Sequence, residues 1–237
     1  MFIITRDIFV LSKRIRSIEN DNLKKVKMDF RFYSDRTMCV AGPSQAGKTV
    51  FVTTLLDYKE KLFRKSIGKV KWFYGIFQPQ LHSQLRQKGY EVTQGLPTKE
   101  SVQRGDLIVL DDLLHESKSS KDVTEMFIRS AHHREAFVIF ITQNIFDSGK
   151  EQRTRSLNTH YLVIFKNPRD TSQIHCLSRQ IVPHNSKALS KIYEEATNKP
   201  HGYLFIDLTQ ECPDQMRFRT NILPTSKEPM LIFQINH

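Results

Sequence analysis

Apolar residues in this chain fall in short unbroken runs separated by polar stretches. Thr37-Met38-Cys39-Val40-Ala41, Lys69 to Tyr74, Leu107 to Leu110, Ala136 to Ile141, Tyr161 to Phe165 and Gly202 to Leu208 each read as a strand, Gly202 to Leu208 being the last. Runs without polar alternation imply strands buried on both faces, as in the middle of a parallel sheet. Between them the spacing turns helical: Val50-Phe51-Val52 with Leu55-Leu56, then Val123, Met126, Phe127 and Ala131 within 121–134, then Ile174 and Leu177, then Ile192 and Tyr193 within 187–196. Phe30-Arg31-Phe32 alternates like an edge strand, and Tyr90-Glu91-Val92 suggests a further short one. Gln78-Pro79-Gln80 reads as chain leaving a strand. The alternation predicts an α/β fold with a mostly parallel central sheet and helices on both faces. Trp72 and Tyr74 are expected in its core rather than free to stack on bases.

Between the first of these strands and its helix lies Gly42-Pro43-Ser44-Gln45-Ala46-Gly47-Lys48-Thr49, which matches the P-loop pattern G-x-x-x-x-G-K-[ST]. Gly42 and Gly47 supply backbone angles closed to side chains and let the loop wrap a phosphate chain. The N–H groups of the loop and the positive end of the helix then face the anion. Lys48 is expected on the β- and γ-phosphate oxygens and the Thr49 hydroxyl on Mg²⁺. Val50, at the loop's exit, joins the expected nucleotide-binding residues as well as the helix's buried face. ATP and Mg²⁺ are the ligands this motif predicts.

Leu107 to Leu110 ends in Asp111-Asp112, carboxylates at the C-terminal end of a buried strand, where open α/β sheets place ligands. Asp111 is expected to hold Mg²⁺, directly or through water, and Asp112 to orient and deprotonate the attacking water. Gln143, ending the strand Ala136 to Asn144, is expected beside Asp112, within reach of water or the γ-phosphate. A strand between the P-loop strand and Asp111-Asp112 in sequence, with a polar-tipped strand after it, points to P-loop ATPases with an additional catalytic strand. A GTPase needs an N/T-K-x-D motif, and Phe165-Lys166-Asn167-Pro168 lacks its Asp. A nucleotide kinase needs an Arg-rich lid, for which Arg153 and Arg155 are the nearest residues. The pair His132-His133 has neighbouring side chains that diverge on a helix and no third ligand near in sequence, so a metal site is not indicated.

The 237 residues carry 36 Lys and Arg against 25 Asp and Glu, a net charge of +11, which favours a polyanionic partner, most simply nucleic acid. Three cysteines without C-x-x-C spacing indicate neither disulfide framework nor zinc, which fits an intracellular setting. No apolar run approaches the roughly 20 residues that span a bilayer, and charges interrupt the N-terminus too early for a signal peptide. The expected organisation is a basic lead-in at 1–35, an ATPase domain at 36–210 and a tail at 211–237, loosely ordered or covering a neighbouring subunit.

Several segments together resemble the viral genome-packaging ATPases of the FtsK–HerA superfamily, the Polinton, adintovirus and virophage versions most of all. They are the P-loop, Leu107 to Asp112, Gln143, Phe165-Lys166-Asn167-Pro168-Arg169-Asp170, Gln173-Ile174 with Arg179-Gln180 and Pro183, and Ala196-Thr197 with Pro200-His201-Gly202-Tyr203-Leu204-Phe205-Ile206-Asp207. The resemblance spans about residues 36–210. It implies an ATP-driven homo-oligomeric ring that feeds double-stranded DNA into a preformed capsid, with capsid or portal partners and a place at virus assembly sites in the host. The family often has Glu where this chain has Asp112. It also implies an arginine acting across the subunit interface, and Arg134 matches that position best, ahead of Arg129, Arg153 and Arg155. Another DNA-dependent ATPase of helicase type, and a nucleotide switch without sustained turnover, are the competing readings.

Overall fold

The computed structural model describes residues 2–4, 10–12, 27–98, 100–113, 135–145 and 158–235. The chain's long apolar runs pair side by side. Strands β4 (Thr37–Ala41), β5 (Val70–Tyr74), β6 (Glu91–Gln94), β7 (Leu107–Asp111), β8 (Phe137–Thr142) and β9 (Tyr161–Phe165) run parallel in the order β9-β4-β8-β7-β5-β6. Beyond β9 the sheet continues antiparallel through β10 (Tyr203–Asp207), β11 (Phe218–Thr220), β12 (Met230–Phe233) and β1 (Phe2–Ile4), making a 10-stranded sheet among the described residues. Strands β2 (Val10–Ser12) and β3 (Lys27–Asp29) pair separately.

The strands β5, β7, β8, β9 and β10 are buried at every position. Successive side chains go to opposite faces. Leu107 and Val109 of β7 join a core with Trp72, Ile139, Val163 and Phe205, against which helix α1 (Lys48–Asp57) sets Phe51, Val52, Leu55 and Leu56. A short helix, α2 (Lys59–Leu62), follows α1 directly. Helix α3 (Pro79–Gln87) adds Leu85 to the same side. The opposite face of β9 and β10 packs Leu162, Ile164, Leu204 and Ile206 on helices α4 (Ser172–Ile181) and α5 (Ser186–Ala196) through Ile174, Leu177, Leu189 and Ile192. A third cluster, with Phe73, Ile108, Leu110, Val138 and Phe140, covers the remaining face of β5, β7 and β8. The alternation of strand and helix thus gives the expected two-sided α/β sheet. Trp72 is fully buried and Tyr74 nearly so, as the apolar pattern predicts.

Local expectations are corrected at four places. Val50 is 69% exposed rather than part of the buried face of α1, because the helical turn puts Phe51, Val52, Leu55 and Leu56 toward the core and Val50 on the other side. Phe30 to Phe32 is not a strand: Phe32 alone makes an isolated bridge to Phe63 and buries its ring against Phe137, Tyr161 and Phe205. At Gln78-Pro79-Gln80 the chain has left β5 as expected, and α3 begins there, Pro79 taking the first helical turn, where its missing N–H costs nothing. Residues 203–207 are not the last strand, since β11 and β12 follow in the same sheet. That continuation also means the sheet has no break at residue 210: the segment expected as a tail is paired structure, closed by Phe218 and Phe233 in the core. The helix expected at 121–134, with its histidine pair, lies outside the described residues.

Candidate functional site

The loop after β4 is shaped by close packing. A Cβ on Gly42 would sit 2.7 Å from the Cβ of Phe165, so only glycine lets the loop cross the end of β9. Gly47 has φ of 108°, a left-handed conformation that admits glycine, and it immediately precedes α1. Lys48 folds back, its Nζ donating to the carbonyls of Gly42 at 2.7 Å and Pro43 at 2.8 Å. Its ammonium thus closes a ring of main chain into which the N–H groups at the start of α1 point. Burial lowers the Lys48 pKa, and the charges of Asp112 and Asp111 oppose that fall. These two carboxylates therefore share the field of the loop lysine.

Their placement follows from the strand order. Strand β8 stands between β4 and β7, so the P-loop strand and the carboxylate strand lie about 10 Å apart, two inter-strand spacings. The N–H of Gly42 donates to Thr142 O at 3.3 Å, and the N–H of Asp112 to Ile141 O at 3.4 Å. Both functional segments are thereby tied to the end of β8. Asp111 shares the face of Leu107 and Val109, which is the face of α1 and Thr49. It is buried, and its Oδ2 has no hydrogen-bond partner among the described residues. Burial, with the neighbouring charge of Asp112, raises its pKa to about 6; the Trp72 indole N–H, facing it without a close hydrogen bond, and Lys48 offset part of the rise. An orphaned carboxylate oxygen on the same side as a threonine hydroxyl suits a hard divalent cation, which takes one or two carboxylates together with phosphate oxygens. No cluster of three His, Cys, Asp or Glu residues able to hold a metal exists among the described residues. Asp112, the next residue, leaves the strand with φ of 53°, an uncommon left-handed angle for a non-glycine residue. The chain therefore turns out of the strand at the second carboxylate, whose charge still acts on both Asp111 and Lys48.

Gln143 follows Thr142 at the tip of β8 and is exposed there, on the strand adjacent to Asp112. Its neighbour Asn144 is held from behind. The amide of Gln173 donates to Asn144 Oδ1 at 3.0 Å and to Asp170 Oδ2 at 2.7 Å, while its own oxygen accepts from the N–H of Ile145 at 2.9 Å. The K-N-P-R-D segment thus serves to anchor the β8 tip through Asp170 and Gln173. Sequence reasoning singled out that segment without assigning it this role. The same is true of Pro200-His201-Gly202-Tyr203. His201 lies on the P-loop, its Nδ1 3.2 Å from Ala46 O, and Gly202 passes within 2.9 Å of the Ala196 carbonyl by its would-be Cβ. The structure therefore brings together Gly42 to Val50, Asp111, Asp112 and Gln143. Arg134, with Arg129, Arg153 and Arg155, lies outside the described residues.

A glycine loop between a strand and a helix, with a carboxylate strand separated from it by one inserted strand, defines the P-loop NTPase fold of the additional-strand type. Solved structures with this fold include the genome-packaging NTPase B204 of Sulfolobus turreted icosahedral virus 2. Its complex with sulfate is similar with a TM-score of 0.54 at 12% identity, over 87% of this chain and 100% of that one. Its complex with ATP-gammaS gives 0.51 at 13% identity, over 76% and 96%. No protein-family model matches the sequence, and no curated protein matches it either.

Proposed function

We propose that this chain is an ATP-hydrolysing motor subunit that works in a ring and moves double-stranded DNA, in the manner of a viral genome-packaging ATPase. The observation that carries the reading is the convergence of Lys48, Asp111 and Asp112 at one sheet edge, with Gln143 on the strand between. Lys48 would leave the Gly42 and Pro43 carbonyls for the β- and γ-phosphate oxygens, an exchange of one set of acceptors for a charged one. Thr49 and Asp111 would hold Mg²⁺, which when bound neutralises charge on the phosphates. Asp112 would orient a water and take its proton, and Gln143 would hydrogen-bond that water or the γ-phosphate. The net charge of +11 supports a polyanionic track, and the structural likeness to B204, named as a DNA-packaging ATPase, supports packaging in particular. Capsid or portal proteins would then be its partners at a host assembly site. Arg134 would complete each site from the neighbouring subunit, stabilising charge on the γ-phosphate.

The test is steady-state ATP hydrolysis with and without duplex DNA, alongside the oligomer size by light scattering. Stimulation by duplex without strand separation is the expected result. Unwinding of a forked substrate would point to a helicase, and binding without turnover to a switch. For Arg134, mixing inactive Arg134→Ala with inactive Lys48→Ala should restore some activity, because interfaces with an intact loop facing an intact arginine reform. No restoration overturns the trans role.

A further inference from the structure

A cavity of about 290 Å³ lies at the other end of the strands from the phosphate loop. Tyr161, which lines it, opens β9, and Phe165, which meets Gly42, closes that strand roughly 13 Å away. Three arginines from separate stretches of chain line the cavity, Arg31, Arg64 and Arg219, with three carboxylates, Asp29, Asp207 and Glu211. The carboxylates are already committed. Asp29 accepts from Arg31 at 3.0 and 2.9 Å, and Glu211 from Arg36 at 3.1 Å. Asp207 accepts from the Thr209 hydroxyl at 2.6 Å and from Arg219 at 2.5 Å. Burial, and then the charge of Asp207, pushes the Cys212 thiol beside them up to about 12, so it is neutral.

The donors are not committed. Arg219 is 3% exposed, yet its bond to Asp207 is the only one its guanidinium makes among the described residues, and its Nε–H has no acceptor. The rings of Phe205 and Phe30 lie 4.7 and 5.0 Å from it, contacts that use the guanidinium face and leave the N–H edge. Arg64 lies over the Tyr33 ring at 3.8 Å in the same way, and gives two donors to the Asp29 and Arg31 carbonyls. The Tyr161 hydroxyl is buried and accepts the Tyr33 N–H at 3.2 Å, while its own proton meets no acceptor among the described residues. What the wall still offers is therefore hydrogen-bond donors, two of them on buried side chains. We infer that this cavity binds a phosphate monoester, its oxygens taking the free edges of the arginines and the Tyr161 hydroxyl. Tetrahedral oxygens accept from several directions, as guanidiniums on three separate segments require, whereas a carboxylate accepts in one plane. The volume is at the lower limit of ligand pockets, which suits a phosphate with its sugar and excludes a dinucleotide. The source is a free nucleotide or the terminal phosphate of a nucleic-acid strand. Lining guanidiniums and carboxylates are equal in number, so the affinity should be modest, on the order of 0.1–1 mM. The inference is independent of the phosphate-loop reading above.

The experiment is calorimetric titration of the full chain with thymidine monophosphate, with and without a saturating non-hydrolysable ATP analogue. Wild type should bind the monophosphate in both conditions. Arg219→Lys keeps the charge that Asp207 needs and loses the Nε–H and the fork, and should weaken binding about tenfold. Arg64→Gln, at an exposed residue, should weaken it about fivefold, and keeps the test open if the Arg219 variant does not fold. Affinity for the ATP analogue should stay within about twofold in both variants. Absence of binding at about 5 mM, binding abolished by the analogue, or affinity unchanged in every variant that folds overturns the inference. Competition by duplexes with and without a 5′-phosphate separates the sources. Displacement by the phosphorylated duplex alone supports a strand end, and displacement by neither supports a free nucleotide. Equal displacement by both overturns recognition of a monoester. Failure of the phosphate-loop reading looks different: the ATP analogue would then bind Lys48→Ala as well as it binds wild type, with the monophosphate titration unaffected.

Discussion

The imidazole Nδ1 of His201 lies 3.2 Å from the carbonyl oxygen of Ala46, although the two residues are 155 positions apart in sequence. A carbonyl only accepts, so the ring carries its proton on Nδ1. His201 itself has φ of 59°, an angle that costs backbone energy in a non-glycine residue and is held there by the turn through Gly202. The turn before β10 therefore acts as a clamp on the back of the phosphate loop.

Removing that clamp should loosen the loop as a whole. His201→Ala loses a hydrogen bond worth about 1 kcal/mol, and the ordering of the loop must then be supplied by the ligand. Affinity for ATP and for tripolyphosphate should fall together, by roughly fivefold. Calorimetry on both ligands checks this. A loss confined to ATP would mean that His201 reads the nucleoside and not the loop.

The lysine and the second carboxylate should fail in different ways. Lys48→Ala leaves the Gly42 and Pro43 carbonyls without their donor and the phosphates without their charge, so nucleotide binding itself should drop by about a hundredfold or more. Asp112→Asn keeps the left-handed turn, which asparagine tolerates, and keeps shape, but removes the proton acceptor. It should bind ATP with Mg²⁺ near normally and hydrolyse it at least about a hundredfold more slowly, the usual size of a general-base effect. Binding by calorimetry and phosphate release on the same samples separate the two. Asp112→Asn turning over at the parent rate would place the base elsewhere.

The parts of this site that sequence made legible are those whose chemistry is local. Gly42 to Thr49 and Asp111-Asp112 each sit within a few residues of the element that positions them, so a strand run and a motif suffice. What stayed illegible depends on contacts far apart in sequence. Nothing in Phe30-Arg31-Phe32 shows that Phe32 will lie among Phe63, Tyr161 and Phe205 instead of pairing in a strand. Nothing in Gln173 shows that it will hold Asn144, 29 positions earlier. The tail was the largest omission. Its strands β11 and β12 are short, and their burial depends on antiparallel pairing with β10 and each other. A lysine inside an apolar run, Lys71, likewise gave no sign of its partner.

Acid should weaken the fold through His82. Its Nδ1 accepts the N–H of Gln78 at 3.3 Å, which fixes the start of α3, and its ring stacks 3.9 Å from that of Tyr74. Accepting that hydrogen bond requires the neutral ring. Burial, and then the charge of Arg86, lowers the pKa below the ordinary 6.5. A base with a depressed folded pKa contributes stability that is complete above 6.5 and is lost as pH falls through the folded value. Melting temperature should thus decline on going from neutral pH to below 6.5, and the decline should be shallower in His82→Phe, which keeps the stack and cannot titrate. Parallel slopes in the two proteins would remove His82 from the account.

The buried pair Lys71–Asp106 should behave as a unit. Its Nζ and Oδ2 are 2.6 Å apart, with side chains only 7% and 3% exposed. The lysine also donates to Ser101 O at 2.7 Å, and the aspartate accepts the N–H groups of Gln103 at 2.9 Å and Lys69 at 3.3 Å. Together they tie β5 to the loop that leads into β7. Breaking such a pair from one side strands a charge in the interior and costs about 3–5 kcal/mol, whereas removing both charges costs much less. Lys71→Met and Asp106→Asn should each be strongly destabilising in urea. The double variant should lose less than the sum, because methionine fills the space and the asparagine oxygen still accepts the backbone N–H groups. A coupling of about 2 kcal/mol is the expected size. Additivity within about 0.5 kcal/mol would show that the two charges are held by their backbone partners and not by each other. Asp106 lies about 16 Å along the chain from Asp111, and Lys71, in register with Ile108, about 10 Å, so Lys71→Met that remains folded should bind ATP as the parent does. Weakened binding in that variant, at a temperature well below its melting point, would instead mean that the register of β7 depends on the pair.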